Sequence, residues 1–174
     1  FNALYFPAQA ILITVQLIYR PMLVKMANTW NDESRRRRFD FVIVGMIVLI
    51  LVITLVGILF MAWIGIPIMG FLYGFDFTPY AQLSFIMLAA GGVTAAIDFL
   101  YQVITILRRQ QVVMSLYLIT FGFSLLVLIL MITMMGLEGA VVGYLIVMAI
   151  LLILLVREYV MQRIELSKPT GRRR

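Results

Sequence analysis

Arg35-Arg36-Arg37-Arg38 stands between two long runs without a charged side chain, residues 1–19 and 41–75. One such guanidinium at the centre of a bilayer costs about 2.5–3.5 kcal/mol even on the lenient insertion scale, so four together mark a place where the chain leaves hydrocarbon. Lys and Arg also concentrate on the cytoplasmic side of membrane proteins. The segment 20–40 is therefore expected in the cytoplasm, and membrane crossings are counted outward from it.

Composition agrees with that reading. Of 174 residues, 64% are hydrophobic and 13% charged, with a mean hydropathy of +1.08. A water-soluble domain carries about twice that charged share, and no soluble fold of this length could hide so much apolar surface. The expectation is an all-α integral membrane protein. A net charge of +6 would suggest nucleic acid as partner of a soluble chain; here the placement of the cations matters more, and no nucleic acid is expected. With no Cys and no His, disulfides, thiolate chemistry and imidazole metal sites are absent, and no cofactor is expected. The chain opens on Phe1-Asn2 without an initiator Met or a basic leader, which reads as one part of a longer polypeptide.

Five spans follow in order, at about 3–21, 41–64, 79–107, 112–135 and 139–156. Tyr5 and Phe6 suit an outer aromatic belt of the first, and Arg20-Pro21 closes it. Met22, Leu23, Met26 and Trp30 then share one helical face, an amphipathic extension along the inner interface. The charge-free run 41–75 would be ~52 Å long as a helix, against ~30 Å of hydrocarbon. A break is expected at Gly65-Ile66-Pro67, because Pro67 removes a donor and crowds the preceding turn. Residues 66–75 are expected along the outer interface, where Trp63, Phe71, Tyr73, Phe75, Phe77 and Tyr80 would form an aromatic girdle. Thr78-Pro79 reads as an N-cap with proline at the first helical position. Gly91-Gly92 offers a kink or a close helix contact, and Gly139 and Gly143 have the small-xxx-small spacing of close approach. Gly136-Leu137-Glu138-Gly139 reads as a short outer turn between the last two spans. Residues 157–166 continue as a mixed helix, and 167–174 form a basic cytoplasmic tail. With five passes, all fourteen Lys and Arg fall in inner segments, while Asp76 and Glu138 are the charges outside.

One ionisable side chain lies deep in a span. Asp98 precedes Arg108 by ten residues, ~15 Å of helix, which places it near the midplane. Thr94, Tyr101 and Gln102 lie at −4, +3 and +4 from it and make a polar stripe. Intramembrane acids mark ion or substrate paths or, more simply, clip two helices together by hydrogen bonds; both readings stay open. Arg20, at the inner end of the first span, is the cation nearest such a path. Catalysis would need paired acids, a nucleophile with its base, or metal ligands, and none is available. No enzyme is expected.

Several segments taken in order carry a resemblance: Tyr19-Arg20-Pro21-Met22-Leu23 with Lys25-Met26-Ala27 and Trp30-Asn31, Gly65-Ile66-Pro67, Leu72-Tyr73-Gly74 with Asp76, Leu107-Arg108-Arg109-Gln110, and Gly136-Leu137-Glu138-Gly139-Ala140. Over about 3–156 the chain resembles the bacterial oligosaccharide flippases of the polysaccharide transporter family, within the superfamily of multidrug and oligosaccharidyl-lipid exporters. It corresponds to the C-terminal lobe of such a transporter. The resemblance implies two pseudo-symmetric helical lobes around a central cavity, alternating access, and movement of an isoprenoid-linked oligosaccharide repeat unit between leaflets of the bacterial plasma membrane for capsule or exopolysaccharide assembly. Its partners would be that lipid-linked substrate, membrane lipids and the other half of the same chain. A cation-coupled multidrug antiporter of the superfamily and a non-transporting membrane scaffold are the competing readings.

Overall fold

A computed structural model describes residues 2–30, 36–74, 76, 78–107 and 110–167. These residues are helical throughout, joined by short turns, with no strand among them. Helix α1 spans Asn2–Trp30; α2 spans Arg36–Phe60 and runs through a π-helical turn, Met61–Gly65, into α3, Ile66–Tyr73. A 3₁₀ turn at Thr78–Tyr80 leads into α4, Ala81–Ile106, and α5 covers Gln110–Ser167. Four of these stretches, Tyr5–Met26, Phe39–Leu72, Thr78–Ile106 and Gln110–Ile164, are long and apolar enough to cross a membrane. The protein is an all-helical membrane protein.

Helix α4 is the centre of the bundle. Its side chains are mostly buried, and α1, α2 and α5 all pack on it. The cause lies in Ala89-Ala90-Gly91-Gly92 and Ala95-Ala96. A strip of small residues lets neighbouring backbones come close, which is how helices gain contact where lipid competes for apolar surface. A Cβ on Gly91 would sit 2.8 Å from the Ala8 carbonyl oxygen of α1, and one on Gly92 would collide with Thr54 of α2. Of the two roles expected for this pair, close contact is the one realised, since α4 runs unbroken through it. Helix α1 answers with Ala8, Ile11, Val15 and Tyr19, and α2 with Phe39, Ile43, Met46 and Ile50, all buried at helical spacing.

Helix α5 is two arms. Gly136 takes φ 58° and ψ −126°, a mirror-β conformation outside the regions open to an L side chain and reached readily by glycine. Behind it Gly139 lies against the Met131 backbone, and a Cβ on Gly143 would meet Leu128 at 3.2 Å. In a straight helix residues 128 and 143 would be ~22 Å apart, so the chain folds back on itself. Val113 of the first arm accordingly joins Leu151 and Leu155 of the second against Ile97, Leu100 and Ile104 of α4. The fourth and fifth expected spans are these two arms.

Three expectations need correction. The helix through Gly65-Ile66-Pro67 does not end there but continues to Tyr73. The Ile66 N–H bonds the Met61 carbonyl, five residues back, and this wider turn accommodates Pro67, which has no N–H to give and whose ring crowds a regular α-helical turn. Pro21 likewise leaves α1 unbroken, and beyond it Met26 is buried, with Met22 and Leu23 packed on the core. That face meets protein instead of lying along an interface. Thr78 does not cap α4, whose N-cap is Tyr80 without a side-chain bond; Asp76 instead holds the 3₁₀ turn before it, its Oδ1 accepting from the Thr78 N–H at 2.9 Å and the Thr78 hydroxyl at 2.6 Å. These two bonds hold the Asp76 carboxyl below the usual range.

Phe6, Trp63 and Phe71 are exposed, as belt residues should be. Tyr5 turns inward, edge-on to Tyr144 with ring centroids 6.1 Å apart. The side chains of Trp30, Tyr73 and Arg35 to Arg38, together with Phe75, Phe77, the Arg108-Arg109 turn and residues 168–174, lie outside the described residues.

Candidate functional site

Asp98 sits on α4 where α1 crosses it, and α1 supplies the neighbours. Gln16 Nε2 donates to Asp98 Oδ2 at 2.9 Å, and the Tyr19 hydroxyl donates to the same oxygen. Arg20 donates to Gln16 Oε1 at 2.9 Å, so the guanidinium reaches Asp98 through an amide relay and not directly. Gln16, Tyr19 and Arg20 are spaced i, i+3, i+4 and share one face. Tyr19 is held by its ring, which meets Phe99 at 5.5 Å and 61° and is almost wholly buried. A carboxylate this deep needs donors, because an unpaired charge away from water is costly. Two α1 side chains provide them.

On its other side Asp98 opens to a cleft of about 570 Å³ between α4 and the first arm of α5, lined also by Tyr101, Gln110, Val113, Met114 and Tyr117. Tyr101 and Tyr117 meet edge to face, 6.1 Å between centroids at 78°. Gln110, Met114 and Tyr117 recur at i, i+4, i+7 and so present one face of the arm to α4. A carboxylate, an amide and two phenols along one wall would be badly placed against acyl chains; such a wall suits water, a ligand or another protein surface.

The expected stripe therefore divides. Tyr101 lines the cleft beside Asp98, and Arg20 joins the cluster by way of Gln16. Thr94 looks elsewhere: its hydroxyl bonds the Ala90 carbonyl at 2.8 Å and lies 3.1 Å from the Tyr144 hydroxyl on the second arm of α5. Gln102 is partly buried and does not line the cleft. Sequence reading missed Gln16 and Tyr19, although their spacing with Arg20 is the same i, i+3, i+4 pattern that marked the stripe on α4. It also missed Tyr117, whose partner Tyr101 lies across an interhelical turn that no local period reports.

A second polar cluster ties α2 to the end of α5. Asp40 accepts from the Tyr159 hydroxyl at 2.6 Å and pairs with Arg163. Gln162 beside them is buried and bonds Glu158 at 3.1 Å. This cluster fixes helix ends. Among the described residues no three His, Cys, Asp or Glu side chains converge to hold a metal.

No family model matches this chain, and no match is found among curated proteins or solved structures.

Proposed function

We propose that this chain is one helical lobe, the C-terminal one, of a two-lobed transporter. It would flip an isoprenoid-linked oligosaccharide repeat unit from the inner to the outer leaflet of a bacterial plasma membrane, for capsule or exopolysaccharide assembly. Lobes rocking about a midplane site would give each leaflet access in turn, without an open pore. The carrying observation is Asp98: a carboxylate inside a long apolar helix, clamped from α1 and open to a polar cleft on the side of α5. In this reading the cleft wall faces the central cavity, and the sugars pass it while the lipid tail stays in the bilayer. Asp98 is then the group through which an ion gradient couples, with Tyr19, Gln16 and Arg20 reporting its state to α1. The C-terminus is cytoplasmic, and the basic segments anchor the inner side.

A second reading is favoured by the same wall. Among the described lining residues the one formal charge is a carboxylate, which suits a cation-coupled drug antiporter as well as a flippase. A scaffold that transports nothing would use Asp98 as a clip alone.

Asp98→Asn separates transport from scaffolding. Asparagine keeps an acceptor for Gln16 and Tyr19, so a scaffold bearing it supports normal surface glycan. The flippase reading expects surface glycan to fall at least tenfold at unchanged protein abundance, with lipid-linked repeat units accumulating in the inner leaflet. Normal glycan with Asp98→Asn rejects an ion-coupled role for this residue.

A further inference from the structure

We infer that the Asp98 cleft binds an organic ammonium group. The inference names the chemistry of the site placed above in the transport path, and to that extent rests on that reading. The two donors from α1 both fall on Oδ2. Oδ1 takes no hydrogen bond among the described residues, and it is not a buried orphan, since among them the one buried polar side-chain atom without a partner is Thr120 Oγ1. One oxygen therefore holds α1 and the other is open to the cleft. Arg20 does not neutralise it by contact, being bonded to Gln16. The same cleft is lined by the Tyr101 and Tyr117 rings, set edge to face, and by Met114. An anionic acceptor beside π faces and a polarisable sulfur is the environment that holds an alkylated or primary ammonium, by Coulomb attraction and cation–π contact. A phosphate or pyrophosphate would meet repulsion from Asp98, with no cation among the described lining residues to offset it. The cleft thus takes the cationic part of a ligand.

The ammonium could be carried by an amino sugar or other soluble amine, or by the headgroup of a membrane lipid. The test uses the full-length protein in nanodiscs, titrated calorimetrically with choline and with its uncharged carbon isostere. Choline should bind about tenfold or more tightly than the isostere, the margin expected of a desolvated cation–π and carboxylate site. Asp98→Asn should abolish that preference, and Tyr117→Leu, at a partly exposed ring, should reduce it severalfold. Discs of phosphatidylglycerol alone are compared with discs containing phosphatidylcholine: competition in the latter assigns the ammonium to a lipid, and unchanged binding assigns it to a soluble amine. Either result supports the inference. Equal affinity for choline and the isostere, or a preference that survives in Asp98→Asn, overturns it. Surface glycan measured on the same variants keeps the two readings apart. A wild-type protein without an ammonium preference whose export is lost in Asp98→Asn rejects this inference alone, and a wild-type preference that Asp98→Asn abolishes while export stays normal rejects the transport role alone.

Discussion

At the scale of single residues, Asp98 joins α1 and α4 through one oxygen and meets the cleft with the other. The Tyr19 hydroxyl is one of two donors on the shared oxygen, and its ring is already fixed by Phe99. Tyr19→Phe should therefore leave the packing intact and remove the bond alone. Hydrogen bonds between helices in membranes average about 0.6 kcal/mol and reach about 1.7. A loss of about 1 kcal/mol in reversible unfolding in mixed micelles is expected, and it should vanish when Asp98→Ala is already present. Sequence showed the acid and its place inside an apolar helix, because a lone carboxylate in an apolar run is conspicuous in one dimension. It did not show the clamp. Gln16 and Tyr19 lie 82 and 79 residues from Asp98, and which stripe faces which is decided by helix packing, not by the period of either helix. Thr94 demonstrates the converse: it is in phase with Asp98 and yet serves a different neighbour.

At the scale of elements, glycines with different surroundings give opposite predictions for one substitution. Gly91 faces Ala8 backbone at a distance no methyl tolerates, whereas Gly45, on α2, has nothing within 4 Å of an added Cβ. Gly91→Ala should force α1 away from α4 and destabilise the protein by about 1–3 kcal/mol, an overpacking cost that exceeds the ~1 kcal/mol gained from helix propensity. Gly45→Ala gains the propensity term without the clash and should be neutral or stabilising by the same unfolding measurement. The start of α4 supplies a dependence on pH. Bonds from the Thr78 hydroxyl and N–H hold the Asp76 carboxyl below its usual range. A depressed carboxyl lends stability that is fully present above the unfolded value, about 4, and is lost as pH falls through the folded one. Amide exchange at 78–81, corrected for intrinsic rates, should stay protected from neutral pH to about 4 and weaken below it. Asp76→Asn should flatten that profile. Helix boundaries were the least legible feature in the sequence. Pro67 read as a stop, but a wider turn before it carries the helix through, and α1 likewise continues past Pro21.

At the scale of the whole molecule, the arrangement of helices follows from α4 accepting α1 and α2 at its glycines and α5 on Ile97, Leu100 and Ile104, and from α5 reversing at Gly136. Both devices were visible as glycines at meaningful spacing; the partners of α4 were not, because small residues permit an approach without specifying who makes it. The reversal makes the number of passes through lipid odd in our reading: α1, α2 with α3, α4, and two arms of α5. An odd count puts Asp76 and Glu138 on one side of the membrane and the ends of α4 and α5 near Gln111 and Ile164 on the other. The chain has no cysteine, so single cysteines report without background. Cysteine at 76 or at 138 should react with a membrane-impermeant maleimide in intact cells. Cysteine at 111 or at 164 should react only after permeabilisation. Had α5 remained one straight helix, its 58 residues would amount to ~87 Å and overrun a ~30 Å hydrocarbon layer, leaving 164 on the same side as 76 and 138, whereas the reversal returns it to the side of 111. Labelling of 111 together with 76 in intact cells would place the basic turn after α4 on the outer face. That result would remove the sidedness on which the proposed inward-to-outward transport depends, while leaving the α1–α4 clamp untouched.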